Sequence, residues 1–358
     1  MKILCFHPAL APYRVDFFNL LGEFADLKII FLQRNLQNQK FNQESLLSKI
    51  HVPYEHLTSG IVLFGRCFRT GILRTIRRER PDVILSYEAG PVTLELLLLK
   101  MLGLIKAQVW TSMDDSPDQV RGRTGIRRII RDFVLRNVAR VIVPSEAAMQ
   151  AYCEVLPSVS RRRYSVVPII HDLAAMRKNT TIVYEKGRAW RLANCPKEWS
   201  CVIAFVGRFA EVKNLPWLIE RMPELPRTTG LVLVGDGPMS DELKAKVSEV
   251  GLEGRVLFAG RKEDEELYAI MSMADGLVLC SHSETFGAVV AEALQWGTPC
   301  VVARHLGASV IIEDGVNGRV FPSGDSKSFV DAVNSVPPRQ EHSILTVNLK
   351  DCVRKLIG

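Results

Sequence analysis

The sequence predicts an α/β chain built from two doubly wound, parallel-sheet domains. Three observations lead there. Short apolar runs alternate with segments of helical spacing along most of the chain. A length of 358 residues suffices for two domains of ordinary size. The stretch around Ser281–Val302 reads as a complete crossover. Gly276 to Cys280 is an apolar strand, a helix-like run opens at Gly287 and stops near Gly297, and Thr298-Pro299 leads into a second apolar run, Cys300 to Ala303. The expected domains are residues 1–170, with a C-terminal helix 340–358 packing back on them, and residues 171–339.

In the first half, Lys2 to Phe6 is the first strand, followed by the proline-stiffened loop His7–Arg14 and an amphipathic helix through Phe17, Phe18, Leu20 and Leu21. Leu27 to Leu32, Asp82 to Ser86, Ala107 to Thr111 and Arg140 to Pro144 are further strands. Residues 34–49 are polar and read as loop. In an open parallel sheet the loops after such strands form the ligand-binding edge. Two segments are strongly basic, Arg66–Arg80 and Arg121–Arg140, the second with seven arginines. Each fits a helix with an apolar stripe and a cationic face. Such a helix suits an anionic lipid surface, and equally suits packing of its stripe on the sheet.

In the second half, residues 172–200 show no clear periodicity and read as a hinge wrap. Cys201–Val206, Leu231–Val234 and Val256–Ala259 are strands, each ended by a glycine-containing turn.

Apolar content of 47% and charged content of 24% are those of a globular protein. The eight cysteines are scattered without a C-x-x-C pair and read as reduced thiols of a cytosolic protein. The net charge of +7 is uneven: residues 1–170 carry 24 bases against 15 acids, and the remainder 22 against 24. The basic half is expected to face something anionic. Nucleic acid is disfavoured, because no reader motif and no aromatic platform accompanies the arginines. No signal peptide is visible, and the most apolar run, Leu94–Ile105, is too short to span a bilayer.

The Ser281–Val302 unit carries the chemistry. The amides of Phe286, Gly287 and Ala288 sit at a helix start without intrahelical acceptors and, with the helix dipole, suit a phosphate. Glu284, in the loop just upstream, can reach hydroxyls beside that phosphate. Glu292 lies between one and two turns into the helix among apolar neighbours, where a buried carboxylate needs partners such as a ribose diol. The plainer alternative pairs Glu292 with an arginine and leaves Glu284 a solvated loop acid.

Glu284 and Glu292 stand within S-x-x-E-x-F-G-x-x-x-x-E-A-x-x-x-G-x-P. This pattern resembles the glutamate signature of the retaining family 4 glycosyltransferases, which adopt the GT-B fold of two Rossmann-like domains facing a central cleft. Gly207-Arg208, with Lys213 following, resembles the family's second signature. The resemblance implies that Arg208 and Lys213 clamp the leaving diphosphate and that Glu284 positions donor-sugar hydroxyls. It implies donor contacts from Glu292, Phe286, Gly287, Ala288, Gly207 and the turn Gly260, Arg261, Lys262. Pro12-Tyr13-Arg14 is similar to a subset of the family, making Tyr13 and Arg14 acceptor-side candidates. Asp114 and Asp115 stand where relatives carry a histidine. The implied reaction needs no cofactor or metal. It moves a sugar from a nucleotide-diphosphate sugar to a lipid-linked or saccharide acceptor in surface polysaccharide or glycolipid synthesis, at the inner face of the cytoplasmic membrane. Two rivals share the architecture: a nucleotide-sugar 2-epimerase and a non-catalytic sugar-nucleotide-binding subunit. The resemblance is specific over about 200–325 and architectural elsewhere.

Overall fold

The computed structural model of the chain describes residues 1–35, 41–63, 66–172, 180–284 and 286–358, the side chains at 62–63 and 66–68 excepted. It divides into two compact units, Met1–Asp172 with Leu349–Gly358, and Leu173–Asn348.

The first unit contains β1 (Lys2–His7), β2 (Asp26–Phe31), β3 (Tyr54–His56), β4 (Gly60–Leu63), β5 (Arg66–Arg69), β6 (Val83–Tyr87), β7 (Gln108–Ser112), β8 (Arg140–Val143) and β9 (Tyr164–Val166). Seven of these form one parallel sheet in the order β3-β2-β1-β6-β7-β8-β9, and β4 pairs with β5 as a separate antiparallel ribbon. The central strands read as unbroken apolar runs because both sheet faces are covered by helices. The second unit contains β10 (Cys201–Val206), β11 (Thr229–Val234), β12 (Val256–Gly260), β13 (Gly276–Leu279), β14 (Cys300–Ala303) and β15 (Gly318–Phe321) in one parallel sheet, ordered β12-β11-β10-β13-β14-β15. In each sheet the direction of strand progression reverses beside the strand that comes first in sequence: β1 lies between β2 and β6, and β10 between β11 and β13. These reversal points are where open α/β sheets bind ligands, outside the carboxyl ends of the strands.

Four expectations are corrected. Residues 172–200 are not a structureless wrap: Thr180–Asn194 is a helix packed along the helix Asp264–Met273. Its buried positions, Val183, Tyr184 and Gly187, have helical spacing, but Gly187 at their centre reads in sequence as a breaker. Arg66–Arg80 is not one basic helix. Arg66–Arg69 is a strand paired with Gly60–Leu63, and only Ile72–Glu79 is helical. Within 34–49, where 36–40 lie outside the described residues, Gln43–Leu47 forms a helix capped by the Asn42 side chain on the Ser45 amide at 3.1 Å. The basic stretch from Arg121 is broken into two helices, Pro117–Gly122 and Gly125–Asn137.

The helix Leu349–Ile357 belongs to the first unit. Lys350 reaches Glu23 at 2.7 Å, Arg354 lies over the Phe24 ring at 5.6 Å, and Arg140 donates to the Leu356 carbonyl. The seven cysteines whose side chains are described are free thiols. Among the described residues no helix is long and apolar enough to cross a membrane.

Gly187 tests the packing of the corrected helix. A β-carbon there would run into the Ser272 hydroxyl and the Ala269 carbonyl. On an exposed helix Gly→Ala stabilises by about 1 kcal/mol; forced into this contact, overpacking of about 1–3 kcal/mol opposes it. Gly187→Ala should therefore lower the denaturant midpoint of the protein, and an unchanged or raised midpoint would contradict the close crossing.

Candidate functional site

At the carboxyl edge of the second sheet, two loops are held against each other. The loop after β10 runs Gly207 to Asn214 and ends in a tight turn at Glu211–Lys213. The loop after β13 runs from Cys280 to Gly287. His282 donates its amide to the Val212 carbonyl at 2.8 Å, and Asn214 donates its side-chain amide to the Cys280 carbonyl at 3.3 Å. That registration brings Lys213 and Glu284 into an ion pair, both side chains about four-fifths covered. Ser281 donates to the same Glu284 oxygen at 3.3 Å. The turn holding Arg208 is fixed by Phe209, whose ring is buried and whose amide donates to the Asp236 carbonyl at 2.7 Å. Arg208 itself is exposed and has no ion-pair partner among the described residues.

Gly287 ends the second loop at φ +90°, ψ 58°, a left-handed conformation that glycine adopts without strain. A β-carbon there would strike the Leu279 side chain. Gly287 is the N-cap of the helix Ala288–Gln295 and no side chain caps it; the Val290 amide donates to the Gly287 carbonyl at 3.0 Å, and a helix start without a side-chain cap suits an anion. Phe286 is fully buried and anchors the turn. Glu292 is half-buried one turn into that helix, among the buried Val290, Ala291, Ala293 and Leu294. Gly260, Arg261 and Lys262 lie at the same edge but beyond β11, at the sheet's outer strand. Arg261 is exposed and pairs with Glu263, and Lys262 pairs with Glu266 at 3.5 Å. The sequence-derived donor residues thus gather at one edge of one sheet: Arg208, Lys213, Glu284 and the Ala288 helix start at the β10/β13 reversal point, the Gly260 turn at its flank. Thr285 lies outside the described residues.

The carboxyl edge of the first sheet is built differently. Arg14, buried, donates through Nη2 to both Asp114 oxygens at 2.5 Å. Tyr87 donates to Asp114 at 2.9 Å and Ser112 at 3.3 Å. Burial works to raise the Asp114 carboxyl, but the Arg14 charge and these hydrogen bonds outweigh it and hold the group below the usual carboxylate range. The Arg14 guanidinium is committed to that pair and does not stand free for a phosphate. Asp115 is likewise occupied, accepting from Arg123 and from the buried Tyr152 hydroxyl. Tyr13 is half-buried beside Arg14. His7 packs edge-on to Tyr87, with ring centroids 4.9 Å apart; burial, then Arg14, pushes it down to about 3, so its imidazole is neutral.

Glu88, absent from the sequence-derived candidates, follows β6 directly at the carboxyl edge of the same sheet. Its backbone sits at φ 54° and is pinned: the amide donates to the Ser112 carbonyl, and its carbonyl accepts from Thr93 and Thr111. No hydrogen bond or ion pair engages its carboxyl among the described residues. Burial raises that group to about 7, with Asp115 and Asp114 adding to the effect. The legible signal was its place directly after a strand at the reversal point.

A carboxyl raised in the folded state holds its proton longer than the unfolded chain does. Folding stability from Glu88 is therefore full below the ordinary carboxylate range and falls as pH rises to about 7. Glu88→Gln should match the parent near pH 4 and exceed it by about 1–3 kcal/mol at pH 8. Chemical denaturation at both pH values checks this; an equal difference at both would contradict it.

Residues 193–343 match the family model described as glycosyl transferases group 1. A lipopolysaccharide core biosynthesis glycosyltransferase, LpsE, of Rhizobium meliloti (strain 1021) is 35% identical over 135 residues, 38% of this chain and 39% of the relative. A D-inositol 3-phosphate glycosyltransferase of Mycolicibacterium smegmatis is 32% identical over 221 residues, 60% of this chain and 49% of the relative. The chain thus spans half or less of the length of these curated relatives. Among solved structures, Anabaena Alr3699/HepE in complex with UDP matches with a TM-score of 0.73 at 19% identity, covering 100% of this chain and 94% of that one. The chain shares the fold of that structure, and within its second unit residues 193–343 carry the match to the glycosyl transferases group 1 model.

Proposed function

We propose that the protein is a retaining, metal-independent glycosyltransferase that moves a sugar from a nucleotide-diphosphate sugar to a lipid-linked or saccharide acceptor. The observation that carries this reading is the convergence of Lys213 and Glu284, with Arg208 and an uncapped helix N-terminus, at one sheet's reversal point. Two fixed cations and helix-start amides neutralise a departing diphosphate, the work a divalent ion does elsewhere. Donor binding exchanges the Lys213–Glu284 contact: the ammonium turns to phosphate and the carboxylate to sugar hydroxyls. Glu292 holds the ribose diol. The leaving phosphate accepts the acceptor's proton on the same face of the sugar. UDP in the HepE complex and the lipopolysaccharide core named for LpsE support a uridine nucleotide and a surface-glycan acceptor.

The acceptor side belongs to the first unit, whose excess of basic residues suits an anionic, lipid-borne substrate and a place at the inner face of the cytoplasmic membrane. A 2-epimerase is the weaker reading. It needs a set of acid–base carboxylates in the first unit; there Asp114 and Asp115 are held by Arg14, Arg123 and Tyr152, which leaves Glu88 alone with an unengaged carboxyl among the described residues.

Two substitutions separate the roles. Glu292→Ala should raise the Kd for UDP about tenfold or more, the loss of hydrogen bonds to a charged group. Arg208→Ala should lower turnover by about 10²–10³ while moving UDP affinity far less, because its charge acts on the leaving group. Calorimetric titration with UDP and initial rates of UDP release from UDP-sugars check both. Unchanged binding and rates in both variants would overturn the assignment, as would inverted product configuration by NMR for the retaining mechanism or abolition of transfer by EDTA for metal independence.

A further inference from the structure

The helix Gly125–Asn137 is apolar on two sides. Val134 and Leu135 pack inward with Val138, the residue that follows, in the first unit's core. Ile126, Ile129 and Phe133 form a second stripe at i, i+3 and i+7 that stays in solvent, at 67%, 65% and 40% exposure. The neighbouring helix Pro91–Met101 does the same. Leu96 and Leu97 are buried, while Leu98, Met101 and, just past its end, Leu102 and Leu104 are exposed. Of fifteen large apolar side chains exposed among the described residues, these two adjoining segments hold seven. Scattered exposed apolar residues are ordinary; a concentration of this kind marks a contact surface.

The charges around it select the partner. The helix Gly125–Asn137 carries Arg127, Arg128, Arg131 and Arg136 against one acid, Asp132. Arg131 is turned into the core, where it donates to the Val120 carbonyl at 2.8 Å, and Arg128 lies 3.6 Å from Asp132. Arg127 and Arg136 are exposed beside the apolar stripe, with no ion-pair partner among the described residues. A second copy of this face would set arginine against arginine. An anionic bilayer takes both parts at once, phosphates against the guanidinium groups and acyl chains against the leucine, isoleucine and phenylalanine side chains.

We propose that the exposed face formed by Leu98–Leu104 and the Ile126/Ile129/Phe133 stripe is a membrane-insertion surface, dipping about 5–10 Å into the headgroup layer of an anionic bilayer. It rests on the membrane-facing part of the proposed function and not on the transfer chemistry.

Flotation of the full chain with vesicles of phosphatidylglycerol and phosphatidylcholine tests this. The parent should float with mixed vesicles and weakly with phosphatidylcholine alone. Ile126→Ser/Ile129→Ser/Phe133→Ser and Leu98→Ser/Met101→Ser/Leu102→Ser should each cut vesicle binding at least about tenfold. Because the replaced side chains are exposed, both variants should keep the parent's thermal midpoint and its UDP affinity. Vesicle binding that survives both triple substitutions would overturn the proposal, as would a parent that ignores vesicles but forms a dimer the serines abolish. A parent that floats without binding UDP would count against the proposed function and in favour of this surface.

Discussion

The candidate donor site depends on the registration of two loops at the carboxyl edge of the second sheet. The Lys213–Glu284 pair is its visible product, but a partly solvated ion pair contributes little by itself, about 0–1 kcal/mol. What fixes the geometry is backbone: the His282 amide on Val212, the Asn214 side chain on the Cys280 carbonyl, and the parallel pairing of β10 with β13 beneath them. Backbone so held brings the two charged side chains to one place before a ligand arrives, and only their mutual contact has to be exchanged. The Gly287 turn contributes in the same way, opening the helix Ala288–Gln295 without a side-chain cap.

The first unit handles charge by the opposite principle. Arg14 and Asp114 are buried together, and the buried Asp115 is held by the half-buried Arg123 and by the buried Tyr152 hydroxyl. Removing one member of such a pair strands the other in low dielectric, which costs far more than the pair contributes. These groups therefore hold the sheet's carboxyl edge in shape. They leave Glu88 as the group there whose carboxyl no donor among the described residues engages, on a backbone conformation that its neighbours over-determine. The same unit carries its surplus positive charge outward, beside the apolar stripe of the helix Gly125–Asn137.

Much of this was legible in the chain. Continuous apolar runs such as Cys201–Val206 and Leu231–Val234 betray parallel strands covered on both faces, and the Ser281–Val302 pattern places a helix N-terminus against a strand end. The failures have physical causes. Gly187 reads as a break because sequence cannot show that a missing side chain is a packing device between helices. The short strands Tyr54–His56 and Arg66–Arg69 lack the length for a period to register. Arg14 reads as an acceptor-side contact because its partner, Asp114, lies a hundred residues away. The stripe Ile126/Ile129/Phe133 reads equally as core or surface, since periodicity reports a face and not what covers it.

Hydrogen–deuterium exchange with and without UDP tests the central claim most directly. The account predicts slowed exchange at the amides following Gly287 and across Arg208–Lys213, with the Arg14–Asp114 edge of the first unit unchanged by the nucleotide. Protection confined to other strands' ends, or to none, would contradict a diphosphate pocket between the β10 and β13 loops.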